Sequence, residues 1–151
     1  MIAADDNAVP LDVLLVENSP GDVRLTQEAF GQGTRNVRLH VVTDGLEAME
    51  FLTREGIHAY APRPDLVLLD LNMPGLSGRD VLAQIKVKED LKAIPIVVLT
   101  TSDNEADILI CYQLQANCYL RKPAHWDAFD NLVKSINAFW LTRAKLPRQI
   151  R

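Results

Sequence analysis

Glu17 and Asn18 stand side by side in VENSPGD (16–22), directly after an apolar run. A second apolar run, PDLVLLD, closes on Asp70, a third, IPIVVLT, ends on Thr100, and a fourth, NCYLR, leads into Lys122. Two carboxylates, an amide, a hydroxyl and an ammonium thus lie at the ends of four apolar runs. If the chain gathers them, Glu17, Asn18 and Asp70 suit a hard cation such as Mg2+, which takes oxygen ligands, often one or two carboxylates with waters completing the shell. A carboxylate facing a cation is held ionised, and an ionised Asp70 is a potential nucleophile toward a phosphoryl group. Thr100 can donate a hydroxyl hydrogen bond, and Lys122 is a point charge suited to a phosphate oxygen. Pro123 constrains the backbone behind Lys122 and raises the option of a cis Lys122–Pro123 bond, whose isomer no sequence reveals.

These residues meet only if the fold aligns the run ends. LDVLLV (11–16), VRLHVVT (37–43), DLVLLDL (65–71), IPIVVLT (94–100) and NCYLR (117–121) read as five strands, mostly apolar and β-branched. Helical segments alternate with them. Ser19, Pro20 and Asp22 start the first, which runs to about Gln32, where Gly31 and Gly33 supply the stop. Asp44 with Glu47 makes a capping-box pattern for the second, and Ser102 with Glu105 one for the fourth, which runs to about Gln115. NMPG reads as a turn, Ser77 with Asp80 starts the third helix, and the last spans about His125 to Arg143. Apolar strands alternating with helices predict an α/β fold: a flavodoxin-like (βα)5 doubly wound sheet, five parallel strands in order 2-1-3-4-5, with an extended C-terminal helix. That order opens a crevice at the carboxyl ends of strands one and three, where Glu17, Asn18 and Asp70 stand.

The chain resembles the receiver domains of bacterial two-component response regulators. LLVEN, LLDLNMPG, VVLTTS and YLRKP carry the resemblance, in order and at the ends of the right strands, over roughly residues 11–143. The resemblance implies that Asp70 accepts a phosphoryl group from a histidine kinase. It implies that Glu17, Asn18, Asp70 and the Asn72 backbone carbonyl hold Mg2+, that Thr100 and Lys122 contact the phosphoryl oxygens, and that Tyr119 changes rotamer with Thr100. LTTSDNEADI, ANCYLRKP and INAFWLTRAKLP further resemble single-domain regulators that partner phytochrome-type (bacteriophytochrome-like) kinases. Such a protein is a switch, not an enzyme, and signals to a downstream protein. Asn18 departs from the family pattern, which has a second acid there, and weaker magnesium binding is the expectation.

Bulk properties agree with one domain: 151 residues, 48% hydrophobic and 24% charged. Residues 1–10 read as a disordered leader, 11–143 as the receiver domain and 144–151 as a C-terminal tail. A net charge of −4 argues against a nucleic-acid binder. Arg143, Lys145, Arg148 and Arg151 read as a solvated tail, since a helix C-terminus favours cations anyway. No apolar run approaches the roughly 20 residues of a membrane span, and Cys111 and Cys118 read as buried free thiols, so the expected compartment is the cytoplasm. His40, His58 and His125 read as surface or packing residues. No Gly-rich phosphate loop follows the first strand, which argues against a nucleotide or flavin enzyme. In the last helix Trp126, Phe129, Val133, Ile136 and Trp140 step as a heptad seam, widened by Leu132 and Phe139. Since that helix should outrun the domain, a homodimer through residues 126–140 is expected.

Overall fold

The computed structural model describes residues 9–147; most of the expected leader and the last four tail residues lie outside it. Strands β1 (Leu11–Val16), β2 (Val37–Val42), β3 (Leu66–Leu69), β4 (Ile96–Thr100) and β5 (Cys118–Arg121) form one sheet in the order β2-β1-β3-β4-β5. Every pairing is parallel. Helices α1 (Pro20–Gly31), α2 (Gly45–Thr53), α3 (Gly78–Val87), α4 (Glu105–Gln113) and α5 (Trp126–Ile136) connect and close it. This is the flavodoxin-like doubly wound fold that the alternation of runs predicts.

The central strands β1, β3 and β4 are mostly apolar because both sheet faces are covered there. On one face Leu14, Val16, Val67, Leu69, Ile96 and Val98 pack beneath Val81, Leu82 and Ile85 of α3, with Phe51 of α2 and Cys111 of α4. On the other, Val13, Leu15, Leu66, Leu68, Val97 and Leu99 meet Phe30 of α1 and Phe129, Val133 and Ile136 of α5. The alternation along each strand assigns neighbouring residues to opposite cores.

The helix starts are largely the expected ones. Ser19 caps α1 by accepting from the Asp22 N–H with Pro20 in the first turn, and Ser77 and Asp80 form a reciprocal box on α3. Asp44 accepts from the Glu47 N–H at 2.7 Å, but Glu47 reaches back to Thr43, one residue earlier than a box requires. The fourth helix departs from expectation. Asn104, not Ser102, is its cap, accepting from the Ala106 N–H at 2.8 Å. The Ser102 hydroxyl instead donates to Asp107 Oδ2 at 2.7 Å and accepts from the Asn104 N–H at 3.3 Å. Helix stops also differ. Arg54 (φ 59°) and Gln115 (φ 74°) end α2 and α4 in the left-handed conformation, with six-to-one bonds from Glu55 to Glu50 and from Ala116 to Cys111. Gln32 closes α1 right-handed, so Gly33 serves there by its size: a Cβ would lie 2.3 Å from the Asn137 amide nitrogen.

One further reading is corrected, that of the last helix, and Asp12 adds a feature that its apolar run does not show. Asp12 lies in the middle of an apolar run yet is buried, because Arg38 of β2 grips it with bonds of 2.8 and 2.9 Å and His40 adds one of 2.9 Å. His40 and His58 therefore have carboxylate partners, Asp12 and Glu47, and flank the Phe51 ring. The last helix does not outrun the domain. After Ile136 it widens into a π-helical turn, Asn137–Arg143, that folds Leu141 (3% exposed) back into the core. Arg35 Nε pins it, donating to the Leu141 carbonyl at 3.1 Å. Within the heptad seam Phe129, Val133 and Ile136 are consumed by the protein's own core, while Trp126 and Phe139 stay largely exposed.

Candidate functional site

The site is built where the strands stop. β1 ends at Val16, paired with Leu69 at the end of β3, so Glu17 and Asp70 emerge next to one another. β3 is shorter than the apolar run suggests, and Asp70 and Leu71 lie beyond it. β4 continues to Thr100, level with Arg121 of β5, and Lys122 follows, its N–H donating to the Thr100 carbonyl at 2.6 Å. Peptide bonds are trans throughout the described residues, Lys122–Pro123 included.

Two backbone contacts fix Asp70 from below. The Gly78 N–H donates to the Leu71 carbonyl at 3.1 Å, and a Cβ on Gly78 would sit 2.1 Å from the Asp70 carbonyl oxygen. Only a residue without a side chain lets α3 start this close to the acid. Gly75, at φ 70°, turns the NMPG loop out of the way.

Glu17, Asp70, Thr100 and Lys122 are all buried. The Lys122 ammonium hydrogen-bonds Glu17 Oε2 and stands 2.9 Å from Asp22 Oδ2 and 3.6 Å from Asp70 Oδ2. Glu17 Oε1 accepts from the Ser19 N–H at 3.1 Å, and Asp70 Oδ1 from the Asn72 N–H at 3.3 Å. Three carboxylates therefore share one ammonium. Burial lifts the Glu17 carboxyl above the ordinary range; the Lys122 hydrogen bond opposes this, and the Asp70 charge adds to it. Burial works against the charge on Lys122, but bonds from Glu17 and Asp22 and the charge on Asp70 outweigh it and raise its pKa. With three carboxylates around one ammonium, the pocket holds more negative charge than its lysine neutralises.

Thr100 is the counterpart on the donor side. It is fully buried, and its Oγ1 is the single buried side-chain oxygen or nitrogen without a hydrogen-bond partner among the described residues. Buried hydroxyls are normally satisfied. Tyr119 is half-buried on β5, its hydroxyl donating to the Ser102 carbonyl at 2.8 Å. Burial raises its pKa, against the pull of that bond.

The structure brings together Glu17, Asp70, Thr100 and Lys122, and places Asn72 beside them through its N–H. Asn18 is solvent-exposed. Sequence reasoning missed Asp22, which it took only as a first-turn acid. The signal was its helical position: three residues after the cap, the first turn of α1 returns over the strand ends. No three His, Cys, Asp or Glu side chains among the described residues form a ready metal cage. The oxygen-rich donor set, with its excess of negative charge, still fits a hard cation, completed by neutral oxygens and water.

An open groove of about 440 Å3 lies beside the residues that follow Asp70, lined by Leu71, Asn72, Met73, Ser77, Arg79 and Asp107. Arg79 Nη1 faces Asp107 Oδ1 across it at 3.7 Å.

The fold, the strand-end acids and the paired lysine define a class. Residues 13–137 match the response regulator receiver domain, and the chain belongs to that family. Among curated relatives it is 46% identical over 144 residues to response regulator Rcp1 of Synechocystis sp., covering 95% of this chain and 98% of that one. It is 38% identical to the probable methanogenesis regulatory protein FilR2 of Methanothrix harundinacea, covering 87% and 84%. Among solved structures, Mn(2+)-bound Rcp1 superposes with a TM-score of 0.90 at 47% identity, covering 92% of this chain and 100% of that one. The phosphorylated cyanobacterial phytochrome response regulator RcpA gives 0.90 at 48%, covering 93% and 100%.

Proposed function

We propose that this chain is a phosphoacceptor switch in phytochrome-type signalling, with Asp70 as the acceptor. The observation that carries the reading is the Thr100 hydroxyl: a buried donor without a partner, on the strand next to the one that delivers Asp70. An Asp70 oxygen attacks the phosphorus of a phosphohistidine; the P–N bond breaks and its electron pair stays on the imidazole. The product carries strong acceptor oxygens. Thr100 is placed to donate to one, and Lys122 to pair with another. Tyr119 then leaves Ser102 as strand four and its exit loop repack, which remodels the face read by a downstream protein.

Mg2+ would be held by Glu17, Asn18, Asp70 and the Asn72 backbone carbonyl. It supplies charge neutralisation for the transferring phosphoryl group. Lys122 holds the acids in place before that, and moves from Glu17 and Asp22 toward the phosphoryl oxygens. The Mn(2+)-bound state of the similar Rcp1 supports a divalent ion. Asn18 adds an oxygen without charge, so Asn18→Asp should tighten magnesium binding in calorimetry; equal affinity for both proteins would refute this role.

A phytochrome-type histidine kinase is the proposed donor, supported by the likeness to RcpA. The switch carries no enzymatic activity of its own in this reading. It acts in the cytoplasm with residues 11–143 as its receiver unit; none of its described helices is long and apolar enough to cross a membrane. Transfer of labelled phosphate from such a kinase to the wild type, and not to Asp70→Asn, tests the proposal. Equal labelling of both would overturn it. One observation favours a second reading, an interaction module independent of phosphate: Asn18 leaves the site an acid short. Unchanged partner binding after full phosphorylation would select it.

A further inference from the structure

Arg79 and Asp107 lie outside the acid–lysine cluster, yet both are tied to it. Arg79 follows Gly78, whose N–H binds the Leu71 carbonyl and whose Cα presses on the Asp70 backbone. Asp107, in the first turn of α4, has two loads. Its Oδ1 faces Arg79 Nη1 at 3.7 Å, and its Oδ2 accepts from the Ser102 hydroxyl at 2.7 Å. Ser102 stands two residues beyond Thr100, and its carbonyl holds the Tyr119 hydroxyl. A continuous chain, Arg79–Asp107–Ser102–Tyr119, therefore links the start of α3 to β5 through the strand-four exit loop.

The two ends of the ion pair are unequal. The Ser102–Asp107 bond has full hydrogen-bond length. The Arg79 contact is about 1 Å longer than the 2.7–2.9 Å of a charge-assisted bond, and its side chain is 47% exposed. No other partner holds the Arg79 guanidinium among the described residues. Its fork matches phosphate oxygens, and it borders the groove that opens from Leu71 and Asn72, the residues directly after Asp70.

We infer that Arg79 and Asp107 form a charge latch over the strand-four exit loop, and that a phosphoryl group on Asp70 competes with Asp107 for Arg79. Arg79 is a positioning residue: through Asp107 it holds Ser102, and through Ser102 the loop that carries Thr100. When Arg79 turns toward the new negative charge, Asp107 loses its counterion and, with the Ser102 it holds, its tie to α3. The loop is then released for Thr100 to close on the phosphoryl oxygens. The competition rests on the reading of Asp70 as phosphoacceptor; the latch does not.

The test uses the full chain and the variants Arg79→Gln, Asp107→Asn and Arg79→Gln/Asp107→Asn. In the unmodified proteins, amide NMR of Ser102 and Tyr119 reads the latch, and each single variant should shift both resonances. In titrations with beryllofluoride and Mg2+, Asp107→Asn should lower the midpoint severalfold and Arg79→Gln should raise it. In the Arg79→Gln background, Asp107→Asn should then do little; a separate Arg79→Lys variant should keep only part of the wild-type affinity. Unmoved Ser102 and Tyr119 resonances in both single variants would overturn the latch. Asp107→Asn effects of equal size with and without Arg79 would overturn the competition. A wild type blind to beryllofluoride would strike the Asp70 reading, and the competition with it, while the resonances still decide the latch.

Discussion

Lys122 is the residue on which the charge balance turns. With 4% of its side chain exposed and three carboxylates around it, its removal leaves buried negative charge uncompensated. Lys122→Met should destabilise the protein by about 3 kcal/mol in urea unfolding, at the low end for stripping a partner from a buried pair. Mg2+ should restore part of the loss if the acids form a cation site. Asp12 makes a separate prediction. Burial pushes its pKa up, but the hydrogen bonds and charges of Arg38 and His40 prevail and hold it below the ordinary range. A carboxyl with a depressed folded pKa contributes stability above its unfolded pKa and loses it as pH falls through the folded one. Asp12→Asn should therefore lower the unfolding midpoint at pH 7 and matter progressively less at an acid pH below the ordinary carboxylate range. An equal loss at both pH values would show that packing, not charge, keeps Asp12 in place.

At the scale of elements, the site depends on how closely α3 approaches β3. Gly78→Ala puts a methyl group 2.1 Å from the Asp70 carbonyl oxygen, where backbone must give way. A cost of about 1–3 kcal/mol is expected from overpacking, with slower phosphorylation if Asp70 is the acceptor, since its own backbone moves. Unaltered stability would mean that the α3 start yields freely. The same scale shows what the sequence could reveal. Strand order and the strand-end positions of Glu17, Asp70, Thr100 and Lys122 were legible, because doubly covered strands write themselves as apolar runs and the doubly wound order aligns their ends. Asp12 was not, since its partners Arg38 and His40 come from β2 and only register pairs them. Ser102 fits a capping box by spacing, yet tertiary contacts with Asp107 and Tyr119 claim it. Asp22 and the Arg79–Asp107 pair escaped because helix-start residues look alike until the loops are placed.

For the whole molecule, the C-terminal helix sets the terms of assembly. A homodimer through residues 126–140 remains the proposal, but Phe129, Val133 and Ile136 are spent on the core. What is left to bury is Trp126, Phe139 and the open part of Trp140, whose ring meets Phe139 edge-on at 5.4 Å. Phe139→Glu should therefore shift light scattering at micromolar concentration from dimer to monomer without loss of fold. A wild type that is monomeric with and without phosphate would refute the dimer. The site is a property of the whole: acids after β1 and β3, a hydroxyl at the end of β4 and a cation after β5 meet only because one sheet aligns them. Exposure of the protein to acetyl phosphate and Mg2+, followed by intact mass and peptide mapping, tests this most directly. One phosphoryl group should appear on Asp70, be absent from Asp70→Asn, and hydrolyse in alkali as an acyl phosphate does. An unmodified wild type, or a phosphoryl group on any other residue, would contradict the account.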